Sequence, residues 1–180
     1  MKHYWLLGLC IIVACSNMQS NIKTAKAIFE EKKDLFYSTR LFFADSSNKI
    51  NTIYLDPIGI NFRFSDSLEK KWEQMKFKRS FKNIADVEKY PLHFCSKDKL
   101  LAILNFMKDN NINILNGGAN YLNVNFSELC CPQIMIIYKE GNIDNVCVTN
   151  DVKTVRKKDN NLCLYKLTEH WYIKPDVVDM

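Results

Sequence analysis

Two stretches of this 180-residue chain repeat apolar residues at helical spacing and therefore predict helices. The first covers residues 22–36 with Asn21 as its cap, and the second covers residues 97–110 with Ser96 as its cap. A shorter helix is predicted at residues 67–75, where a capping-box pattern opens the segment. The apolar stripes are Ile22, Ala25, Phe29 and Phe36 in the first helix and Leu100, Ile103, Leu104 and Met107 in the second.

Elsewhere the period changes to two, which is typical of strands with one buried face. Strands are predicted at 41–44, 52–55 and 58–64, and five more fill the last third of the chain. A turn at residues 140–142 predicts that two of these five form a hairpin. The five are 121–126, 133–138, 145–148, 162–167 and 170–174. An N-terminal helix, two further helices and a C-terminal strand meander predict an α+β fold with a mainly antiparallel sheet.

The first fifteen residues follow neither pattern. Lys2 supplies a positive charge, and residues 4–14 are an unbroken apolar stretch of eleven residues. As a helix this stretch would span roughly 16 Å, about half of the ~30 Å hydrocarbon core of a bilayer. A positive start, a short apolar run and a closing small residue are the parts of a secretory signal. The alternative is a buried first helix.

The residues that close this run, Ile12-Val13-Ala14-Cys15, resemble the lipobox of bacterial lipoproteins. The resemblance implies cleavage before Cys15, a diacylglycerol thioether on its sulfur, and acylation of the new amino terminus by a fatty acid such as palmitate. Two or three acyl chains are enough for stable anchoring. The resemblance covers only the signal and the lipobox, and an ordinary signal peptide is the alternative.

This resemblance predicts three parts of the chain and a location. Residues 1–14 are a cleaved signal peptide, residues 15–20 are a lipidated anchor and linker, and residues 21–180 are a single globular domain. The location is a bacterial membrane, with the domain facing out of the cytoplasm. Because Ser16 replaces the aspartate typical of inner-membrane retention, the outer membrane is favoured where the host has one.

The charge is mildly positive, at +5 for the full chain, which is far from the basic field of a nucleic-acid binder. Residues 69–82 contain more basic than acidic residues, and Trp72, Phe77 and Phe81 lie between the basic ones. Such a segment can dock on anionic lipid or on an acidic partner. The favoured interpretation is a solvated face whose aromatic side chains point to the core.

Five cysteines remain beyond the signal and the anchor: Cys95, Cys130, Cys131, Cys147 and Cys163. An exported protein meets oxidising conditions, so disulfides are plausible, although the sequence does not fix the connectivity. The favoured bridge is Cys147–Cys163, between neighbouring predicted strands, with Cys95 pairing to Cys130 or Cys131. The alternative is that several of these residues are small buried hydrophobic groups.

The cysteines and histidines are compatible with two kinds of reactive site. Zinc is disfavoured because neither C-x-x-C nor H-x-x-x-H spacing occurs, so no metal site and no cofactor are predicted. A thiol nucleophile remains as an alternative, with Cys130 or Cys131 attacking, His93 or His170 as the base, and Asp176 or Glu169 orienting that base. No local signature supports this set of residues, and His170 is more simply a packed strand residue.

The predicted secretory signal with its lipobox favours a membrane-anchored lipoprotein, and the lack of a catalytic signature favours a binding module. It would be an envelope accessory factor or an immunity-type protein that shields its host from a toxin. The expected partners are membrane lipid, through acylated Cys15, and an envelope protein. The competing hypothesis is a lipid-anchored hydrolase with a cysteine nucleophile, and a purely structural lipoprotein is a third.

Overall fold

A computed structural model describes residues 4–64, 79–127, 133–141, 146–155 and 163–176. Within them the chain forms four α-helices, one short 3-10 helix and nine strands. The helices are α1 (Tyr4–Glu31), α2 (Lys33–Ala44), α3 (Ile84–Lys89) and α4 (Lys97–Asp109), with the 3-10 helix at Val152–Thr154. The strands are β1 (Ile50–Asp56), β2 (Gly59–Phe64), β3 (Ser80–Phe81), β4 (Ile112–Gly118), β5 (Tyr121–Phe126), β6 (Gln133–Lys139), β7 (Val148–Thr149), β8 (Leu164–Lys166) and β9 (Trp171–Asp176).

The nine strands form one sheet in the order β3-β2-β1-β4-β5-β6-β9-β8-β7. Every neighbouring pair is antiparallel except β7 and β8, which run parallel. The last third of the chain is the strand meander β6–β9, with β9 placed between β6 and β8. These features confirm the predicted α+β class with a mainly antiparallel sheet.

Three helices form a layer on this sheet. Helix α1 contacts β6 and β9, α2 contacts β4 and β5, and α4 contacts β1 and β4, while α2 touches both of the other helices. The alternate residues of β5 that face this layer, Leu122, Val124 and Phe126, are buried as predicted. Burying a large apolar side chain contributes about 1.5–3 kcal/mol, so this interface stabilises the fold.

The first helix is longer than predicted. Asn21 does not cap it, because α1 begins at Tyr4 and continues through residues 16–20, which were expected to be a linker. The polar segment Ser16–Ser20 contains no glycine or proline that would end a helix, so the turns on either side join. Met18, three residues after Cys15, is already buried in the core.

Two strand predictions were wrong. Residues 41–44 form the end of α2, where Phe36, Thr39 and Phe43 recur at helical spacing and are buried. A run of four apolar residues does not by itself distinguish a strand from a helix. The predicted hairpin of 133–138 with 145–148 also fails, because β6 pairs with β5 and β9, whereas β7 pairs with β8.

The remaining helix predictions have mixed outcomes. Helix α4 has the predicted buried stripe, and Ser96 precedes it, although the serine side chain makes no capping hydrogen bond. The helix predicted at 67–75 lies outside the described residues, as does most of the basic segment 69–82. Phe81, at the end of that segment, is buried against the rings of Phe62 and Tyr90, in agreement with the favoured core-facing interpretation.

Candidate functional site: a cleft beside Trp171

A cleft of about 430 Å³ opens where α2 passes over the start of β9. We call it the Trp171 cleft. Its size is at the lower end of the range for small-ligand sites, which is roughly 300–1,000 Å³. Its walls come from α2, the end of β6 and the turn before β9. The lining residues are Tyr37, Arg40, Leu41, Tyr138, Thr168, Glu169, His170 and Trp171.

Helix and sheet geometry explain why these side chains meet. Tyr37, Arg40 and Leu41 are three and four residues apart on α2, so they share one face of that helix. Tyr138 of β6 and Trp171 of β9 are direct cross-strand partners, so they lie on the same face of the sheet. The cleft therefore forms where one helix face meets one cross-strand pair.

Backbone hydrogen bonds fix the turn that closes the cleft. The amides of Leu167 and Thr168 both donate to the carbonyl of Trp171, at 2.9 and 3.2 Å. On the other side, the amide of Lys139 donates to the carbonyl of His170 at 3.0 Å. The turn is thus tied to both β6 and β9, which holds Thr168 and His170 at the rim.

Aromatic rings form the floor and walls. The Trp171 ring is fully buried, and its centroid lies 5.2 Å from that of Tyr138 and 5.6 Å from that of Tyr37. The His170 ring meets Tyr138 edge-on at 5.8 Å. Tyr37 remains 39 % exposed, so part of its ring surface is open to a ligand. Phe29 of α1 packs behind Trp171 at 5.3 Å.

Arg40 is a mostly buried charged side chain among these rings, and Nζ of Lys33 lies 6.0 Å from the centre of the Tyr37 ring. The guanidinium carbon of Arg40 lies 4.8 Å from the centre of the Tyr138 ring, a cation–π arrangement. Its Nη2 donates to Oε2 of Glu140 at 3.0 Å. The Arg40 side chain is only 20 % exposed, whereas that of Glu140 is 51 % exposed. The cation is therefore fixed by packing, and its carboxylate partner is mostly in solvent.

Three buried polar atoms around the cleft have no hydrogen-bond partner within the described part of the chain. They are Nε of Arg40, Oγ1 of Thr168 and Nε1 of Trp171. A buried polar group left without a partner costs about 1–3 kcal/mol, so native proteins contain few of them. Such groups are retained where a site needs them. All three belong to residues that line one cleft, which makes it the candidate binding site.

A larger cavity of about 670 Å³ lies between α3, the end of α4 and the turn from β1 to β2. Its walls are mainly apolar, with Leu55, Ile84 and Met107 among them. One unpartnered buried atom, Oδ1 of Asn113, borders it. Among the described residues it has one unpartnered buried polar atom where the Trp171 cleft has three, so it is the weaker candidate.

The two alternative bases of the hydrolase hypothesis lie in different parts of the fold. His170 lies in the cleft, whereas His93 is exposed in the segment between α3 and α4. The next residue, Phe94, accepts a hydrogen bond from Lys49 beside β1, and β1 and β9 are four positions apart in the sheet. At about 4.8 Å per strand this separation is roughly 19 Å. Cys131 lies outside the described residues.

The described cysteines give one bridge and one free thiol. Cys147 and Cys163 form a disulfide, with their Cα atoms 4.4 Å apart, as the sequence favoured. Cys95 is free, contrary to the predicted pairing with Cys130 or Cys131, which both lie outside the described residues. Burial raises the pKa of the Cys95 thiol to about 12, which makes it a poor nucleophile at neutral pH.

Two further features are absent from the described residues. No group of three or more histidine, cysteine, aspartate or glutamate side chains in those ranges is arranged to hold a metal ion. Within the same residues, no helix combines the length and apolar character needed to cross a membrane.

Comparison with known proteins adds no further constraint. No protein-family model, no curated protein and no solved structure matches this chain. The candidate site and the amino-terminal sequence are therefore the two sources of evidence on function.

Sequence reasoning identified His170 and missed Arg40, Tyr138 and Trp171. A weak signal was present in α2, where Arg40 shares a helix face with Tyr37 and lies between apolar residues. An arginine that is mostly buried is usually paired with an acidic side chain. That partner, Glu140, is a hundred residues further along the chain, and no local pattern connects the two.

Proposed function

We propose that this protein is a lipid-anchored, extracytoplasmic binding protein whose ligand site is the Trp171 cleft. The observation that carries this function is the set of unpartnered buried atoms on Arg40, Thr168 and Trp171. A ligand that supplies hydrogen-bond partners there removes a desolvation cost that the free protein bears. Together with an open aromatic wall, this arrangement favours binding of a small ligand or of a short segment of a partner.

The course of α1 supports a role at the membrane surface. Cys15 and Phe29 lie on the same helix, and the Phe29 ring contacts Trp171. Fourteen residues of α-helix measure about 21 Å. A domain anchored through acylated Cys15 would thus hold its cleft about 21 Å along α1 from the lipid attachment. From there it would meet ligands in the envelope beyond the headgroups, as an accessory or immunity-type protein does.

The disulfide also fits an exported protein. Structural disulfides persist in oxidising compartments and are rare in the bacterial cytoplasm. Cys147 and Cys163 link the segments that lead into β7 and β8, the short strands at one edge of the sheet. The alternative function, a hydrolase with Cys131 as nucleophile, has no observation in its favour among the described residues.

The anchor is tested by metabolic labelling with a fatty acid and by partitioning into detergent. Wild type and Cys10→Ala are expected to take up label and to partition with membranes, whereas Cys15→Ala takes up none. Cys10 is the matched control because it lies within the predicted signal. An unlabelled wild type, or label that persists in Cys15→Ala, would contradict the lipid anchor.

The site is tested by NMR titration of the full chain in detergent with benzoate, benzamide and benzylamine. These compounds share a ring and differ in charge. At least one is expected to shift the side-chain N–H signals of Arg40 and Trp171. If none of the three shifts either signal at millimolar concentration, the Trp171 cleft is not a binding site for ring compounds and the proposed function fails.

A further inference from the structure

We propose that the Trp171 cleft binds a carboxylate joined to a flat apolar group, and that Glu140 occupies part of the carboxylate position until the ligand displaces it. This inference rests on the proposed function and specifies its ligand class. It follows from how Arg40 is used in the free protein.

One edge of the Arg40 guanidinium has two hydrogen-bond donors, of which only one has a partner in the described residues. In arginine, Nε–H and one N–H of Nη2 point the same way and match the two oxygens of a carboxylate. On Arg40 the Nη2 end of this edge is taken by Oε2 of Glu140 at 3.0 Å, and the Nε end has no partner in the described residues. Glu140 thus fills one of two positions that a bidentate carboxylate would fill together.

The Arg40 guanidinium is held in place by packing, whereas its partner Glu140 can be displaced. Arg40 is packed on the ring of Tyr138 and is mostly buried, so its donors keep their direction. Glu140 follows the last residue of β6, and half of its side chain is in solvent. Ion pairs with a solvent-exposed member are weak, because water competes for both charges. A ligand that makes both hydrogen bonds can therefore replace Glu140.

The other polar groups of the cleft also favour a ligand that accepts hydrogen bonds over a cationic ligand. The indole N–H of Trp171 is a donor only, and the hydroxyl of Thr168 can donate. The exposed part of the Tyr37 ring provides a flat apolar surface beside them. Glu169, a carboxylate that also lines the cleft, is 87 % exposed, so its charge is screened by water.

The titration shows whether the cleft recognises the charge of the ligand or only its ring. Benzoate is expected to bind about tenfold more tightly than benzamide, because only benzoate makes charge-assisted hydrogen bonds to the Arg40 edge. Glu140→Gln should bind benzoate about two- to fivefold more tightly than wild type, since the competing charge is removed. The matched control is Glu88→Gln, an equal charge change on the exposed face of α3, which should leave the affinity unchanged.

Three results of this titration would overturn the inference. If benzamide or benzylamine binds as tightly as benzoate, the cleft is a binding site but not one for carboxylates, and the proposed function survives. If Glu140→Gln keeps a wild-type amide spectrum and binds benzoate more weakly, Glu140 orients Arg40 and does not compete with the ligand. Failure of all three compounds removes both the proposed function and this inference.

A second pair of probes identifies the source of the carboxylate. Glycyl-phenylalanine with a free carboxyl group is compared with the same dipeptide as its amide. Tighter binding of the free dipeptide than of benzoate indicates the carboxyl terminus of a protein partner, and the reverse order indicates a free aromatic acid. Either order supports a carboxylate site, whereas equal binding of the dipeptide and its amide contradicts it.

Discussion

Two aromatic clusters of this protein differ in what their rings contact. In the first, which we call the phenylalanine cluster, rings pack on rings between β2, β3 and the segments around α3. Its centroid distances are 5.6 Å for Phe62–Phe81, 5.4 Å for Phe81–Tyr90 and 5.1 Å for Phe64–Phe94. In the Trp171 cleft, rings at similar distances adjoin a guanidinium and buried polar atoms without partners.

The difference separates a region that stabilises the fold from one that is suited to binding. The phenylalanine cluster buries apolar area, and its tilted and edge-on rings add favourable contacts. The cleft has the same kind of rings, yet it keeps donors whose hydrogen-bonding capacity is unused. A sequence selected for stability alone would have replaced or paired them. The contrast predicts opposite responses to mutation in the two regions.

The largest effect is expected from removing a ring in each cluster. Phe64→Ala should lower the free energy of unfolding by about 3–5 kcal/mol, because Phe64 is 1 % exposed and its loss leaves a cavity. Tyr37→Ala should cost about 1 kcal/mol, as is usual for a partly exposed residue. Urea unfolding measures both values. For benzoate affinity the order reverses, with loss in Tyr37→Ala and no change in Phe64→Ala.

Equal destabilisation by the two substitutions would show that the cleft rings are as essential to the fold as the core rings. A loss of benzoate binding in Phe64→Ala, with the folded spectrum retained, would show that the two clusters are coupled. Either result would end the distinction between the two regions.

A smaller effect is expected from two threonines whose hydroxyl groups differ in their hydrogen bonds. Thr168→Val should raise the free energy of unfolding by about 1 kcal/mol, since it removes a buried hydroxyl that has no partner. Thr52 is the matched control, because its buried hydroxyl accepts from Nδ2 of Asn116 at 3.2 Å and donates to Asn51. Thr52→Val should cost about 1–2 kcal/mol by stranding those groups.

The sign of the Thr168→Val change is the informative result. Destabilisation of similar size in both variants would mean that the Thr168 hydroxyl is satisfied in the folded protein. The cleft would then hold fewer unused hydrogen-bonding groups, and its contrast with the phenylalanine cluster would weaken.

The sequence predicts the scaffold better than the site because periodicity is a local property. Alternation in residues 121–126 and the helical stripe of residues 97–110 each depend on a single element, and both predictions are confirmed. The errors fall where the local signal is short. The four residues 41–44 are equally compatible with a helix, and the two-residue strand β7 contributes too few hydrogen bonds to determine its own partner.

The cleft was beyond sequence reasoning because its parts come from three distant segments. Tyr37 and Arg40 meet Tyr138 and Trp171 only because β9 inserts beside β6 in the sheet, so that the two strands pair directly. Nothing in the spacing of aromatic residues specifies that pairing. His170 was noticed as a candidate base, yet its environment, a Tyr138 ring edge and an exposed Glu169, follows from the same strand order.

The smallest effect is expected at Cys95, whose thiol reports whether water reaches the phenylalanine cluster. Cys95 follows Phe94 and packs against the core, and burial raises its pKa from an ordinary 9.0 to about 12. At pH 7.5 only on the order of one thiol in 10⁴–10⁵ is then ionised, so iodoacetamide should modify native Cys95 far more slowly than the unfolded chain. Mass spectrometry of the peptide that contains Cys95 measures the two rates.

The same shift predicts a pH dependence with a definite sign. Between pH 9.0 and about 12 the unfolded chain releases the Cys95 proton and the folded protein does not, so the thiol's contribution to stability is full below this range and falls as the pH rises through it. Other groups titrate there too, so the readout is the difference between wild type and Cys95→Ala. Wild type should lose more stability from pH 8 to pH 10 than Cys95→Ala. Equal losses, together with labelling of native Cys95 at the unfolded rate, would show that water reaches this side of the phenylalanine cluster.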